Sequence, residues 1–465
     1  MDVVYNHTGK SADSNFDKIL PGYYFRMNED GSFSNGSGTG NETASERAMF
    51  RKFMVDSLKF WVDEYHIDGF RFDLMKLHDV DTMNAIADEL HAIDDTIMLY
   101  GEPWDAGGSK LPENDSAYHG TLDEMPGIGA FNDTTRDGIK GSVFEAQEGG
   151  FLQGNDYAVP RVFLGIAGGT SQSGSSLQGL APEPTQIINY VTAHDNNTLH
   201  DKLQLSSGVS DEMIEQMQRQ ANALILGSQG VPFLHAGVEM MRTKPCTVPE
   251  SGENTCDAGE NYDHNSYRSP DSTNQIDWNW KVDYNDTFEY TRDMISLRNM
   301  KDVFRLETSD AISDALTFGP YAPGKVNYML NDPDDEWKSI VILHNNNSEE
   351  RDFLLPEGTD WNLIANQDEF GEVSENDIAT LSTHSSGETL TLGKNESRIL
   401  YSTDLIDQWA PQEEDPVDEE PANEDGPGCS LRSSQSQSAM QEGLLGTLLL
   451  MSGTLGALVI VKKRS

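Results

Sequence analysis

The chain has 465 residues, enough for two or three domains with a large buried core. Its 78 acidic residues against 32 basic ones give a net charge of -46. That balance repels nucleic-acid phosphates and anionic headgroups, so it argues against nucleic acid as a partner and reads as a heavily hydrated, salt-adapted surface.

The opening "DVVYNH" reads as a strand that ends in Asn6 and His7 with no cap or preceding element. Residues 46–65 place Phe50, Phe53, Met54, Leu58, Trp61, Val62 and Tyr65 at helical spacing, with Ser45 as the expected N-cap. "IDGFRFDLM" follows as a buried strand. A helix near 79–93 leads to the strand "IMLYGEPW", "IGAFND" is a weaker strand, and "QIINYVTAHD" is another. A helix near 211–228, opened by Ser210, Asp211 and Glu212, leads to "VPFLHAG". These six strand candidates alternate with helices, which predicts parallel βα units. In a β/α barrel the C-terminal ends of the strands form the active-site face. Six strands do not close an eight-stranded barrel, and the deficit of two falls at the N-terminus.

Cys246 and Cys256 flank the turn-rich segment "CTVPESGENTC", and Cys429 stands alone. With no second pair to complete a zinc cage, the expectation is a loop-closing disulfide in an oxidising compartment. From about residue 303, "VNYML", "SIVILHN", "DFLLP", "TLTLG" and "RILYS" are short β runs that predict an antiparallel sandwich. The expected organisation is a partial catalytic β/α barrel over 1–302, a β-sandwich over 303–403, an acidic, Pro-rich linker over 404–442 and a hydrophobic tail over 443–465. Residues 443–461 carry no charge and "KKRS" follows, as in a C-terminal hydrophobic helix that anchors to a membrane.

Asp73, Glu102 and Asp195 each lie at or just past the end of a strand candidate, in "GFRFD", "YGE" and "TAHD". In one barrel they converge on one cavity, and clustered carboxylates diverge in protonation, one staying ionised and another held as an acid. Retaining cleavage of a glycosidic bond needs such a pair about 5 to 5.5 Å apart. Any one acid alone also fits a capping or salt-bridge role. Arg71, two residues before Asp73, points to the same face, where it favours an ionised carboxylate, although a structural salt bridge looks identical in sequence. His7 and His194 lie at strand ends, where imidazole hydrogen-bonds sugar hydroxyls.

"DVVYNH", "GFRFD", "GEPW" and "YVTAHD" occur in the order and at roughly the spacing of the four signature regions of the α-amylase superfamily, glycoside hydrolase family 13. The resemblance covers residue 1 to about 403. Within the superfamily the chain looks most like the type I pullulanases, on "GFRFDLMKLHD", "YVTAHDNNTLHDK", "QGVPFLHAGVEMMRTK" and "NSYRSPDSTNQIDW". It implies Asp73 as nucleophile, Glu102 as general acid/base and Asp195 as transition-state stabiliser. It further implies His7, Arg71, His194 and Trp104 as substrate-binding residues, and Asp2 and Asn6 as structural support. The cysteine-containing insertion and Lys76, where relatives often carry Gly, depart from the pattern.

The implied function is retaining hydrolysis of α-1,6 branch linkages in pullulan, glycogen or limit dextrins, with a branched α-glucan as substrate. The alternatives are an α-1,4-acting amylase or neopullulanase, and a non-catalytic surface glucan-binding protein. No cofactor is required for the chemistry. Calcium sites are frequent in the superfamily, and Asp332 to Glu336 is an acidic loop of the kind that holds one, but no coordinating set stands out. "DVVYNH" resembles the end of the third barrel strand, which implies that two upstream βα units and carbohydrate-binding modules are missing and that the chain alone is inactive. The tail resembles bacterial sorting signals with Cys429 as a processing point, which implies an exported, cell-surface or extracellular protein.

Overall fold

The structure is a computed structural model that describes residues 1–171, 178–247, 256, 261–375 and 377–409. Six short strands lie side by side in chain order: β1 (Asp2–Val3), β2 (Gly69–Phe72), β3 (Met98–Gly101), β4 (Ile128–Phe131), β5 (Ile187–Asn189) and β6 (Val231–Pro232). All neighbours are parallel. Each strand falls within one of the six segments expected from the sequence. Among the described residues β1 pairs only with β2 and β6 only with β5, so the sheet they form is open.

Register fixes what the sheet presents. Asp2 lies beside Arg71, Arg71 beside Tyr100, and Tyr100 beside Gly129. Laterally paired residues of a parallel sheet point to the same face, so Asp2, Arg71 and Tyr100 form one row across β1, β2 and β3.

The helix Ala48–Tyr65 buries Phe50, Met54 and Leu58 against this sheet's core, while Met49, Phe53 and Phe60 stay exposed. Ser45 is not its cap. The N-cap is Arg47, without a side-chain bond. Ser45 Oγ instead donates to Asp79 Oδ2 at 2.6 Å, and Asp79 itself caps the next helix, Val80–His91, by accepting from Thr82 N–H. The Ser45 oxygen that a cap would use accepts instead from the Asp79 N–H at 3.0 Å and from Arg26 Nη2 at 3.3 Å. Ser210 does cap its helix, Asp211–Leu226, by accepting from the Met213 N–H.

After the helices Asn285–Met300 and Ser309–Ala315 the chain turns to antiparallel β structure. The strands are β7 (Leu316–Phe318), β8 (Lys325–Asn331), β9 (Ser339–Asn345), β10 (Arg351–Leu354), β11 (Trp361–Ala365), β12 (Ser382–His384), β13 (Thr389–Leu392) and β14 (Ser397–Ser402). Six make one sheet in the order β12-β11-β14-β9-β8-β7, and β10 pairs with β13. Phe353 and Leu390 from the small sheet pack with Leu343, Trp361 and Leu400 from the large one. Sequence reasoning missed β7 and β12, which have three residues each, and β11, whose register shifts between Leu363 and Ala365.

The β/α region and the sandwich share one apolar core that runs from Leu226 and Ile225 to Tyr328, Ile340 and Ile342. Tyr328 donates its hydroxyl to the Gly227 carbonyl at 3.0 Å, and Gln220 donates to the Asn345 carbonyl at 2.8 Å. The linker expected over 404–442 begins later than that: Ile406 and Trp409 are buried and pack with Phe353, Trp361 and Leu400, so 404–409 belong to the β region. The rest of the linker from residue 410 on, Cys429 and the apolar stretch 443–461 lie outside the described residues. Among the described residues no helix is long and apolar enough to cross a membrane.

Candidate active site

A cavity of about 780 Å³ opens at the C-terminal ends of the parallel strands, and Asp2, Arg71, Glu102, Trp104, His194 and Asp195 are among the residues that line it. Three carboxylates converge on Arg71. Its Nη1 lies 2.9 Å from Asp2 Oδ1 and 3.0 Å from Asp73 Oδ1, and its Nη2 lies 2.5 Å from Glu102 Oε1. One guanidinium thus spans Asp73 and Glu102. The sequence paired Arg71 with Asp73, whereas its shortest contact is to Glu102. Burial by itself would lower the Arg71 pKa, but Glu102, Asp2 and Asp73 outweigh it and the net direction is upward.

Glu102 is 6% exposed. Burial pushes its pKa up from 4.5 to about 7 against the opposing effects of Arg71 and the Leu74 N–H, with Asp73 and Asp195 adding to the rise. Its Oε2 accepts from the Leu74 N–H at 2.8 Å. Leu74 itself sits at φ 42°, ψ 53°, a left-handed conformation that costs a bulky residue about 1–3 kcal/mol. The turn after β2 therefore stores strain where its amide meets the carboxylate.

Asp73 is held from two sides. Besides Arg71, Asn6 Nδ2 donates to Asp73 Oδ2 at 2.8 Å and to its carbonyl at 2.6 Å. Asn6 is fully buried, and His7 Nδ1 lies 2.5 Å from Asn6 Oδ1. Asn6, His7 and Asp73 are not among the residues that line the cavity; Asp73 is joined to the wall through Arg71, and His7 contacts Asn6 rather than Asp73. Asp195 differs in kind. Its side chain is 66% exposed, with His194 Nε2 at 3.6 Å, and the His194 carbonyl is held by Lys244 Nζ at 3.0 Å.

Trp104 belongs to an aromatic group with Tyr100, Phe131, Tyr190 and Phe233. The Arg136 guanidinium lies 6.0 Å from the Trp104 ring centre and 5.5 Å from that of Tyr190, and it donates to the Tyr190 hydroxyl at 2.7 Å. Sequence reasoning missed Arg136, Asp133 and Lys140. All three line the cavity from the helix Asp133–Lys140, which Asn132 caps by accepting from the Thr135 N–H at 3.0 Å. The signal was present, since Asp133 ends "IGAFND" and Arg136 and Lys140 follow it at spacings of three and four, one helical face.

Cys246 and Cys256 are joined by a disulfide with their Cα atoms 5.6 Å apart. Lys76 reaches toward Glu113 at 3.6 Å and Asp105 at 3.9 Å and lies over the Tyr118 ring. The acidic turn 332–336 does not fit a metal: Asp335 Oδ1 accepts from Lys301 Nζ at 2.6 Å and from the Trp337 N–H at 2.7 Å. Among the described residues no group of three His, Cys, Asp or Glu is placed to hold a metal ion.

Residues 312–369 match the pullulanase all-beta domain. The chain is 39% identical over 375 residues to the pullulanase of Bacillus subtilis, covering 80% of this chain and 50% of that one. The structure of a Bacillus subtilis type I pullulanase complexed with maltose aligns with a TM-score of 0.77 at 37% identity, over 86% of this chain and 53% of that one. The pullulanase of Bacillus acidopullulyticus aligns with a TM-score of 0.75 at 39% identity, over 86% and 46%. The chain spans about half the length of these relatives. A parallel α/β sheet carrying Arg71-linked carboxylates, an antiparallel β region and similarity across four fifths of its length make this chain a homologue of the pullulanases, glycoside hydrolases of the α-amylase family.

Proposed function

We propose that this cavity hydrolyses α-1,6 branch linkages of an α-glucan by double displacement with retention. The observation that carries the reading is the single Arg71 guanidinium joining Asp73 to Glu102, with Asp195 on the same cavity. In the first step an Asp73 oxygen forms a bond to the anomeric carbon as the glycosidic C–O bond breaks and Glu102 gives its proton to the leaving oxygen. In the second, Glu102 takes a proton from water, whose oxygen displaces Asp73 from the anomeric carbon. A Glu102 pKa of about 7 suits both tasks near neutrality. Asp195, exposed to the cavity, stabilises positive charge on the sugar ring, and Trp104 and His194 hold the ring. The maltose bound by the Bacillus subtilis relative supports an α-glucan ligand.

The six strands read as an arc of a β/α barrel. The open edges of β1 and β6, together with the exposed Met49, Phe53 and Phe60, are surfaces that two further βα units would cover. Activity then depends on that cover. The test compares the 465-residue chain with a form carrying the upstream barrel units of a relative, each given pullulan. Maltotriose from either form supports α-1,6 cleavage. Panose or isopanose points to α-1,4 action, and glucan binding without sugar release by either form, unchanged in Glu102→Gln, points to a binding protein; each would refute the proposal. Full hydrolysis and cooperative unfolding of the 465-residue chain alone would refute the need for cover.

A further inference from the structure

The three buried lysines behind and around the cavity are not equivalent. Lys202 Nζ donates to the carbonyls of Ser142, Glu145 and Ala146 at 2.9, 2.6 and 3.2 Å, and Lys244 Nζ donates to the His194 carbonyl. Lys140 is 2% exposed and lines the cavity, yet among the described residues no hydrogen bond or ion pair reaches its Nζ. Asp137, the carboxylate that acts on it, is engaged by Arg136 Nε at 2.6 Å. The Lys140 Nζ is not among the fully buried side-chain atoms that lack a partner, so it is open to the cavity rather than enclosed in protein. Such a residue at a cavity wall is a candidate for ligand contact.

Resting on the glucan reading of the same cavity, we propose that Lys140 is a substrate-binding residue that hydrogen-bonds sugar hydroxyls on the wall formed by the helix Asp133–Lys140. Burial, with Arg136, Lys202 and Lys244 nearby, holds its pKa well below the ordinary lysine value. Its Nζ offers N–H donors to a hydroxyl oxygen in either protonation state. Asp2, Glu102, Asp133 and Asp195 line the same cavity, so a polyol is a better occupant than an inorganic anion.

The test uses whichever of the two forms above hydrolyses pullulan. Loss of one hydrogen bond in Lys140→Met should raise KM for pullulan about five-fold with kcat within about two-fold. Lys140→Gln, which keeps a donor and an acceptor, should recover part of the loss. Because the Lys140 Nζ faces the cavity and makes no hydrogen bond or ion pair among the described residues, the Tm of the methionine variant should equal or exceed that of the parent, an outcome a structural lysine would not produce. An unchanged KM in Lys140→Met overturns the inference while leaving the debranching reading intact, as does a Tm loss of several degrees with no KM change. Inorganic phosphate that competes with pullulan in the parent but not in Lys140→Met would assign the site to anions and also overturn it. Absence of hydrolysis by both forms removes the glucan reading and this inference with it.

Discussion

Glu102 offers a test of the site that does not depend on turnover. Its carboxyl is buried at 6% exposure and its pKa is raised from 4.5 to about 7. Below pH 4.5 the group is protonated folded and unfolded, and it costs the fold nothing. As pH rises through 7 the unfolded chain releases the proton first, and the folded state loses stability relative to it until both are ionised. A gap of about two and a half pH units at about 1.36 kcal/mol each makes this loss about 3 kcal/mol. Glu102→Gln keeps the shape of the protonated acid and its neutrality at every pH. The variant should therefore match the parent near pH 4 and exceed it by about 3 kcal/mol above pH 8. Denaturant unfolding of both proteins at several pH values between 4 and 8.5 measures the difference. A difference that does not change with pH, or a variant less stable than the parent at pH 8, refutes the burial argument for Glu102. In an active form the same substitution should lower kcat by about 10²- to 10⁴-fold, the usual worth of a general acid.

Asn6→Ala removes both hydrogen bonds to Asp73 and leaves its carboxylate tethered by Arg71 alone, so kcat should fall more than KM rises and stability should drop by about 1–3 kcal/mol. Steady-state kinetics and thermal melting read the two effects. Tyr328→Phe strands the Gly227 carbonyl at the junction of the two β regions and should cost about 1–3 kcal/mol without altering KM, as denaturant titration will report. Replacing Cys246 and Cys256 together with Ser opens a loop of ten residues' separation and should cost up to about 3 kcal/mol, seen as a lower Tm that no longer responds to dithiothreitol.

Much of this was readable in one dimension. Strands buried in a parallel sheet must be short apolar runs, so "GFRF", "MLYG" and "IIN" were visible, and the polar residues that directly follow the first two marked Asp73 and Glu102, whereas β5 ends at Asn189 and Asp195 stands in the loop beyond it. Helical spacing located Ala48–Tyr65 but not its cap, because the Ser45 oxygen accepts instead from the Asp79 N–H, more than thirty residues away. Local pattern also passed over β12 and β7, too short to show a period, and β11, where a register shift breaks the alternation.

The sequence by itself determined which elements exist and which acids stand at their ends, since both follow from local apolar period and from where it stops. Only the tertiary structure decided what those acids become. Lateral register brings Asp2, Arg71 and Tyr100 into one row, and a single guanidinium then links Asp73 to Glu102 across two strands. Burial makes Glu102 a near-neutral acid while Asp195 stays open to the cavity. It also leaves Lys140 unpaired where Lys202 and Lys244 are satisfied. Desolvation and pairing are properties of the space around a residue, and segments far apart in the chain build that space.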